Sequence, residues 1–309
     1  LWDHLIQDAD TTLTNYGIIS EHPELIDINY GNVGGTQGPG VSHADWMHLN
    51  AIDYNADLDQ IVISSRTMGE IYIIDHSTTT AEAASHSGGN SGKGGDMLYR
   101  WGNPQVYDRG NGSDQQLNAQ HGVNWIPANY PGGGHLICYN NNYQNNNSAV
   151  FEIVTPLEDS TGNYLLEENE DYGPDGPVWT HSGGFHSNVQ SGAFRLPNGN
   201  TLITEADDAH MFEVTSNGMV VWNYVYPGQN IMIARAQRYT LNYLNQNDFP
   251  DYVSGDINFD GEINIADISH AVDMLYEVGY NPTPPADVNG DGAVTMVDII
   301  ILVEMAFND

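Results

Sequence analysis

Gln60-Ile61-Val62-Ile63-Ser64 and, five residues on from Ser65, Glu70-Ile71-Tyr72-Ile73-Ile74-Asp75 decide how most of the chain is read. Both runs are rich in β-branched and aromatic residues and are bounded by turn residues, so they read as strands. Working outward, Trp46-Met47-His48 precedes them and Met97-Leu98-Tyr99-Arg100-Trp101 follows. Two later stretches repeat this unit. The second copy has Ala119-Gln120-His121, His135-Leu136-Ile137-Cys138, Ala149-Val150-Phe151-Glu152-Ile153 and Pro177-Val178-Trp179. The third has Gly184-Phe185-His186, Asn200-Thr201-Leu202-Ile203, Met211-Phe212-Glu213-Val214 and Met219-Val220-Val221-Trp222. Each copy offers four strand-sized runs, the last closing on tryptophan. Four strands per repeat describe the blades of an all-β propeller; the strands of the rival β-sandwich need not recur in fours. Pro197-Asn198-Gly199-Asn200 and Ser216-Asn217-Gly218 add hairpin signals inside the third copy.

Three blades do not close a ring. Residues 1–40, with Trp2-Asp3-His4-Leu5-Ile6, read as the tail of an earlier blade plus a Gly-rich connection. Residues 230–243, with Ile231-Met232-Ile233 and Arg238-Tyr239-Thr240-Leu241, read as the start of another. One or two blades are therefore expected upstream of Leu1, or from another chain or a homo-assembly that completes the ring. The propeller segment is set at 1–243, a polar linker at 244–252 and a separate module at 253–309.

Composition narrows the function. The 309 residues carry a net charge of −34, with seven Lys and Arg against 41 Asp and Glu. Seven scattered cations cannot build a phosphate-neutralising patch, so nucleic acid is excluded as a partner. No apolar run reaches the length of a membrane span. The single cysteine, Cys138, rules out an intrachain disulfide. Such a surface suits a salty, calcium-rich medium, and an extracellular or cell-surface location is expected.

The C-terminal module is read from spacing. Asp256-Ile257-Asn258-Phe259-Asp260-Gly261-Glu262-Ile263-Asn264-Ile265-Ala266-Asp267 is repeated as Asp287-Val288-Asn289-Gly290-Asp291-Gly292-Ala293-Val294-Thr295-Met296-Val297-Asp298. Oxygen-bearing side chains fall at loop positions 1, 3, 5, 9 and 12. Glycine sits at position 6, where the chain must turn sharply, and Glu262 and Ala293 at position 7 offer backbone carbonyls. Ca²⁺ takes six to eight oxygens, and two such loops predict two ions. Each loop runs into a helix-like stretch, Ile265–Leu275 and Met296–Met305, packing around Ile265, Ile268, Leu275, Ile299 and Leu302. A module this small needs its metals to fold.

On these motifs, residues 253–307 resemble the type I dockerin family. The resemblance implies docking onto a cohesin-like receptor or scaffold outside the cell. Partner-reading positions of the family fall on Ile265, Ala266, Met296 and Val297, more apolar than its usual pair.

The propeller segment resembles the bacterial arylsulfate sulfotransferase (ASST) family. The likeness rests on Asp45-Trp46-Met47-His48-Leu49-Asn50-Ala51-Ile52-Asp53-Tyr54-Asn55, Ser64-Ser65-Arg66, Gly94-Gly95-Asp96-Met97-Leu98-Tyr99-Arg100-Trp101-Gly102-Asn103-Pro104, Gln120-His121 and Ser191-Gly192-Ala193-Phe194-Arg195-Leu196-Pro197-Asn198-Gly199-Asn200. It implies a six-bladed propeller that moves sulfate between phenols through a sulfohistidine. His48 and His121 match histidines of the family's pocket. Phe185-His186-Ser187 matches the element near the nucleophile, whose own place is taken by Gly183, and Tyr139-Asn140-Asn141-Asn142 replaces an arginine.

The chemistry agrees with those residue types. Neutral imidazole is both nucleophile and leaving group near neutral pH, and cations or N–H donors must surround the sulfuryl oxygens. His48, His121 and His186, leading three equivalent units, are expected to face the channel. Arg66, Arg195, Arg235 and Arg238 are the candidates for anion contact. Imidazoles converging on an axis also suit Zn²⁺ or Cu²⁺, so a further metal in the channel stays open. Two functions remain: a sulfotransferase tethered by a dockerin, or a non-catalytic propeller used as an extracellular building block.

Overall fold

The computed structural model describes residues 5–31, 45–144, 147–158, 162–228, 231–239, 253–258, 260–276, 284–290 and 293–307. The chain divides into two units, Leu1–Gln237 and Arg238–Asp309. The expected linker at 244–252 and ligand Asp291 lie outside the described residues.

In the first unit, short strands β1 (Ile6–Gln7) and β2 (Ile26–Asp27) pair in parallel. Three four-stranded antiparallel sheets follow, giving a propeller-like arrangement. The first runs β3 (Leu49–Asn55), β4 (Gln60–Ser65), β5 (Glu70–Asp75) and β6 (Met97–Trp101). The second runs β7 (His121–Trp125), β8 (Leu136–Asn140), β9 (Ala149–Ile153) and β10 (Trp179–Ser182). The third runs β11 (Gly192–Arg195), β12 (Thr201–Glu205), β13 (His210–Val214) and β14 (Val220–Val225). Within each sheet the spatial order follows the chain, as hairpin connections dictate.

The sheets stack through apolar faces set by the two-residue period of each strand. Val62, Ile71, Ile73, Tyr99 and Trp101 of the first meet Val123, Leu136, Cys138 and Phe151 of the second. On the second sheet's other face, Ile137, Tyr139 and Val150 meet Ala193, Ile203, Phe212 and Val214 of the third. The first strands of successive sheets meet, β7 lying against both β3 and β11. Side chains tie them together. Asn50 Nδ2 donates to Gln120 O at 2.7 Å, Trp125 N to Asp53 Oδ2 at 2.8 Å and Asn124 Nδ2 to Ala193 O at 2.9 Å. Gly122 has φ 66°, and a Cβ there would lie 2.9 Å from Gly192 Cα, so this crossing admits only glycine.

Two expectations are corrected. The third sheet begins at Gly192, not at Gly184-Phe185-His186, so His186 is six residues short of the strand and is not equivalent to His48 and His121. Phe185 instead fills the core between the second and third sheets, which explains its aromatic character. Residues 231–239 form no strand. Residues 233–236 run beside the third sheet, where Ala234 O accepts from Ser191 N at 2.9 Å and Ala236 N donates to Thr204 Oγ1 at 2.9 Å.

In the second unit, α1 (Ile265–Tyr276) and α2 (Met296–Phe307) pack through Ile268, Ala271, Ile299 and Leu302, with Ile257 and Ala286 from the loops. Ile265, the first residue of α1, is 65% exposed, against expectation, and stands outside this core. Each helix starts on a capping box. Asp267 Oδ2 accepts from Asn264 N at 2.9 Å, and Asp298 Oδ2 from Thr295 N at 2.8 Å. No helix among the described residues is long and apolar enough to cross a membrane.

Candidate functional site

Where the first strands of the three sheets come together, a cavity of about 630 Å³ opens. Leu49, Ala51, Ile52 and Ile63 form one wall, and His121, Gln190, Ser191 and Arg235 line the rest. Apolar wall and polar groups thus share one space, as in sites that hold an aromatic ring by one end.

His121 opens β7 and is buried. Its Nδ1 lies 3.0 Å from Ala119 O and 2.8 Å from Asn141 Oδ1. Both partners can only accept, so the proton resides on Nδ1 and Nε2 keeps its lone pair. Burial pushes its pKa below the ordinary histidine value. The bonds to Asn141 and Ala119 oppose that shift, and the positive charge of Arg66, with His48 nearby, reinforces it. His121 is therefore neutral at neutral pH.

His48 precedes β3 with φ 49°, a left-handed conformation uncommon outside glycine. Its Nδ1 is 2.5 Å from Asp45 Oδ2, and its carbonyl accepts from Arg66 N at 3.1 Å. One hydrogen bond thus joins the entry of β3 to the exit of β4. Gln120, also buried, donates from Nε2 to Ser64 Oγ, Ser65 O and Glu70 O at 3.1, 2.9 and 2.9 Å. His48, Arg66 and His121 therefore belong to one neighbourhood held by adjoining sheets.

Of the other candidates, only Arg235 reaches the cavity. His186 sits in the loop before β11; its N–H donates to Glu205 Oε1 at 2.7 Å and its Nε2 is 3.3 Å from Asn188 Oδ1. Arg195 is buried, ion-paired with Glu152 and 5.3 Å above the Trp179 ring. Arg235 lines the cavity. Arg238 belongs to the second unit and is exposed. Among the described residues no group of three or more His, Cys, Asp or Glu side chains is gathered in this arrangement. Two residues escaped the sequence reading. Asn141 and Ser191 carry no chemical signature of their own, and only the fold brings them to His121.

In the second unit, Asp256 accepts from Asp260 N at 3.1 Å and Gly261 N at 3.0 Å. Asn258 Oδ1 accepts from Asp260 N at 2.9 Å, and Asp260 Oδ1 from Glu262 N at 2.9 Å. Asp267 Oδ1 closes over the loop start, accepting from Ile257 N at 2.7 Å and Asn258 N at 3.1 Å. Asp298 repeats this on Val288 N and Asn289 N at 3.0 and 3.2 Å. Burial works against the ionised form of Asp267, but these N–H bonds hold its carboxyl below the ordinary value. The donor set is hard oxygen throughout and fits Ca²⁺.

A family model described as arylsulfotransferase (ASST) matches residues 4–208. The chain belongs to the arylsulfotransferase family. A second model, dockerin type I domain, matches residues 254–305, so this arylsulfotransferase-family chain carries a C-terminal dockerin. Dockerins of this type typically bind calcium and generally bind cohesin partners. No curated protein matches the chain. Among solved structures, a protein of unknown function from Bacteroides caccae is similar at 11% identity, covering 58% of this chain and 46% of its own, with a TM-score of 0.31. Kuenenia stuttgartiensis hydrazine synthase is similar at 12% identity, with 65% and 42% covered and a TM-score of 0.32. Virginiamycin B lyase from Staphylococcus aureus is similar at 12% identity, with 65% and 59% covered and a TM-score of 0.30. The chain spans about half the length of these structures.

Proposed function

We propose that the protein is a secreted sulfotransferase that moves a sulfuryl group between phenolic compounds through His121. The observation that carries this reading is the state of His121, whose Nδ1 proton is held by Ala119 O and Asn141 while the ring lines the cavity. In the first step Nε2 attacks the sulfur of an aryl sulfate. The N–S bond forms, the S–O bond to the ring breaks, and its electron pair leaves on the phenolate. In the second step an acceptor phenol attacks the sulfur, the N–S bond breaks, and its pair returns to Nε2. His48, oriented by Asp45, takes the acceptor's proton. Arg66 and Arg235 stabilise charge on the sulfuryl oxygens, and the apolar wall holds the ring. His186, Arg195 and Arg238 take no part.

In this reading residues 1–243 form part of a six-bladed propeller, joined through 244–252 to a dockerin at 253–309. Uncovered apolar side chains support a further neighbour: Val220, Val221 and Val225 on β14 are 52, 47 and 54% exposed. A further blade, from this chain or another, would cover them. Two calcium ions would be held through Asp256, Asn258, Asp260, Asn264 and Asp267, and through Asp287, Asn289, Asp291, Thr295 and Asp298, with carbonyls of Glu262 and Ala293. They would stiffen the module for a cohesin-like or scaffold partner outside the cell.

The test is release of nitrophenolate from p-nitrophenyl sulfate, with and without a phenol acceptor. Phenol-dependent release that is lost in His121→Ala and falls in His48→Ala is expected. No turnover by folded wild-type protein would refute sulfuryl transfer. The uncovered side chains of β14 would then favour the second reading, an assembly component joined through its dockerin.

A further inference from the structure

We propose that Asn141 is a positioning residue that fixes the tautomer of His121 and clamps the loop forming the opposite wall of the cavity. Its catalytic consequence rests on sulfuryl transfer at His121; the geometry does not. Asn141 follows β8 and is fully buried. Its Nδ2 donates to Ser187 O at 2.9 Å and Gln190 O at 3.2 Å. Carbonyls only accept, so the amide nitrogen must face them, and Oδ1 is left for His121 Nδ1 at 2.8 Å. One amide therefore reads out in two directions. Towards its own sheet it requires the proton on Nδ1, and towards the third sheet it requires two loop carbonyls in place.

That loop needs holding. Gln190 and Ser191 have φ of 51° and 80°, a region that costs non-glycine residues free energy unless the surroundings impose it. Both residues line the cavity. The Asn141 amide, the bond from Ser191 N to Ala234 O, and Ser191 Oγ accepting from Ala206 N at 3.1 Å impose it. The charged and titratable groups near His121 are Arg66 and His48, with Arg235 on the cavity wall. None of these accepts a proton from Nδ1, so Ala119 O and Asn141 alone set the tautomer.

The experiment is ¹⁵N-histidine NMR across pH on the full-length protein, with His121→Gln assigning the signals. At neutral pH, Nδ1 of His121 is expected to be protonated and Nε2 bare. Asn141→Asp places an anion on the imidazole and should raise its titration midpoint by about 1–3 pH units. Asn141→Leu removes an acceptor that favours the cation and should lower it. A purely structural role would not move the midpoint in opposite directions. A proton on Nε2 in the wild type overturns the proposal even if neither variant folds, as does a midpoint that ignores both variants. Absent turnover with the expected NMR would sink sulfuryl transfer and leave Asn141's role standing; turnover with the wrong tautomer would do the reverse.

Discussion

Replacing Glu70 by alanine should cost the sheet unit about 3–5 kcal/mol, because it strands a charge in the core. Arg100 is fully buried on β6. Its Nε donates to Glu70 Oε1 at 2.8 Å, Nη2 pairs with the second carboxylate oxygen, and Nη1 donates to Pro23 O and Leu25 O at 3.1 and 2.9 Å. The guanidinium also lies 4.3 Å from the Tyr107 ring centre. In Glu70→Ala the two carbonyls and the ring remain, so the loss belongs towards the lower end of that range. Against a stability of about 5–15 kcal/mol the variant still folds. Urea unfolding followed by tryptophan fluorescence is the assay. All six tryptophans precede residue 223, so the signal ignores the dockerin. With a denaturant slope of about 3 kcal/mol/M, the midpoint should fall by about 1 M. Glu70→Ala combined with Arg100→Met removes both charges and should recover part of the loss, giving a coupling energy of about 2 kcal/mol or more against the two single variants. A single variant within about 1 kcal/mol of wild type, or a double variant worse than the sum of the singles, would refute the reasoning.

Chelation by EDTA should melt α1 and α2 and open the tail to protease, leaving tryptophan fluorescence unchanged; a far-UV spectrum indifferent to chelator would count against calcium-dependent folding. Turnover should lose its acid limb below pH 6.5, since the folded pKa of His121 lies under its ordinary value. The sign for stability is the same: a depressed imidazole supports the fold above 6.5 and withdraws that support as pH falls through the folded pKa. An acid limb above 6.5 would contradict this. Cys138 is buried, its thiol pushed up to about 12 by burial, so it should ignore a thiol reagent until the protein unfolds. Rapid labelling of native protein would show the second sheet to be open. Added salt should lower the KM for aryl sulfate, because screening weakens repulsion by the net charge of −34. A rise in KM would mean that local cations dominate the approach.

Much of the fold was legible because the apolar strands announce themselves. Gln60–Ser65, Glu70–Asp75 and Ala149–Ile153 are β-branched and aromatic runs, and they form β4, β5 and β9. The first strand of the third sheet was not legible. Gly192-Ala193-Phe194-Arg195 is short and weak in β-propensity, and it exists because β7 and β12 flank it. Phe185-His186 imitated a strand start because a core position needs an aromatic ring there. In the site, His48 and His121 were visible by chemical type. Asn141 was not, since an asparagine in an Asn-rich run gains its role from a loop 46 residues away.

The same limit applies to the arginines, and it bears on the site. A chain with seven cations makes each of them look functional, yet scarcity does not say which carboxylate lies within reach. Arg100 and Arg195 go to Glu70 and Glu152 in the interior, where a buried carboxylate left alone would be costly. Arg109 ties Ser20 O to Glu170 O. The sheet unit's remaining arginines, Arg66 and Arg235, are the ones near His121 and its cavity. An anion approaching a chain of net charge −34 meets repulsion over most of its surface. In the proposed reading, sulfuryl recognition therefore falls to Arg66, Arg235 and the Nδ1-protonated imidazole of His121.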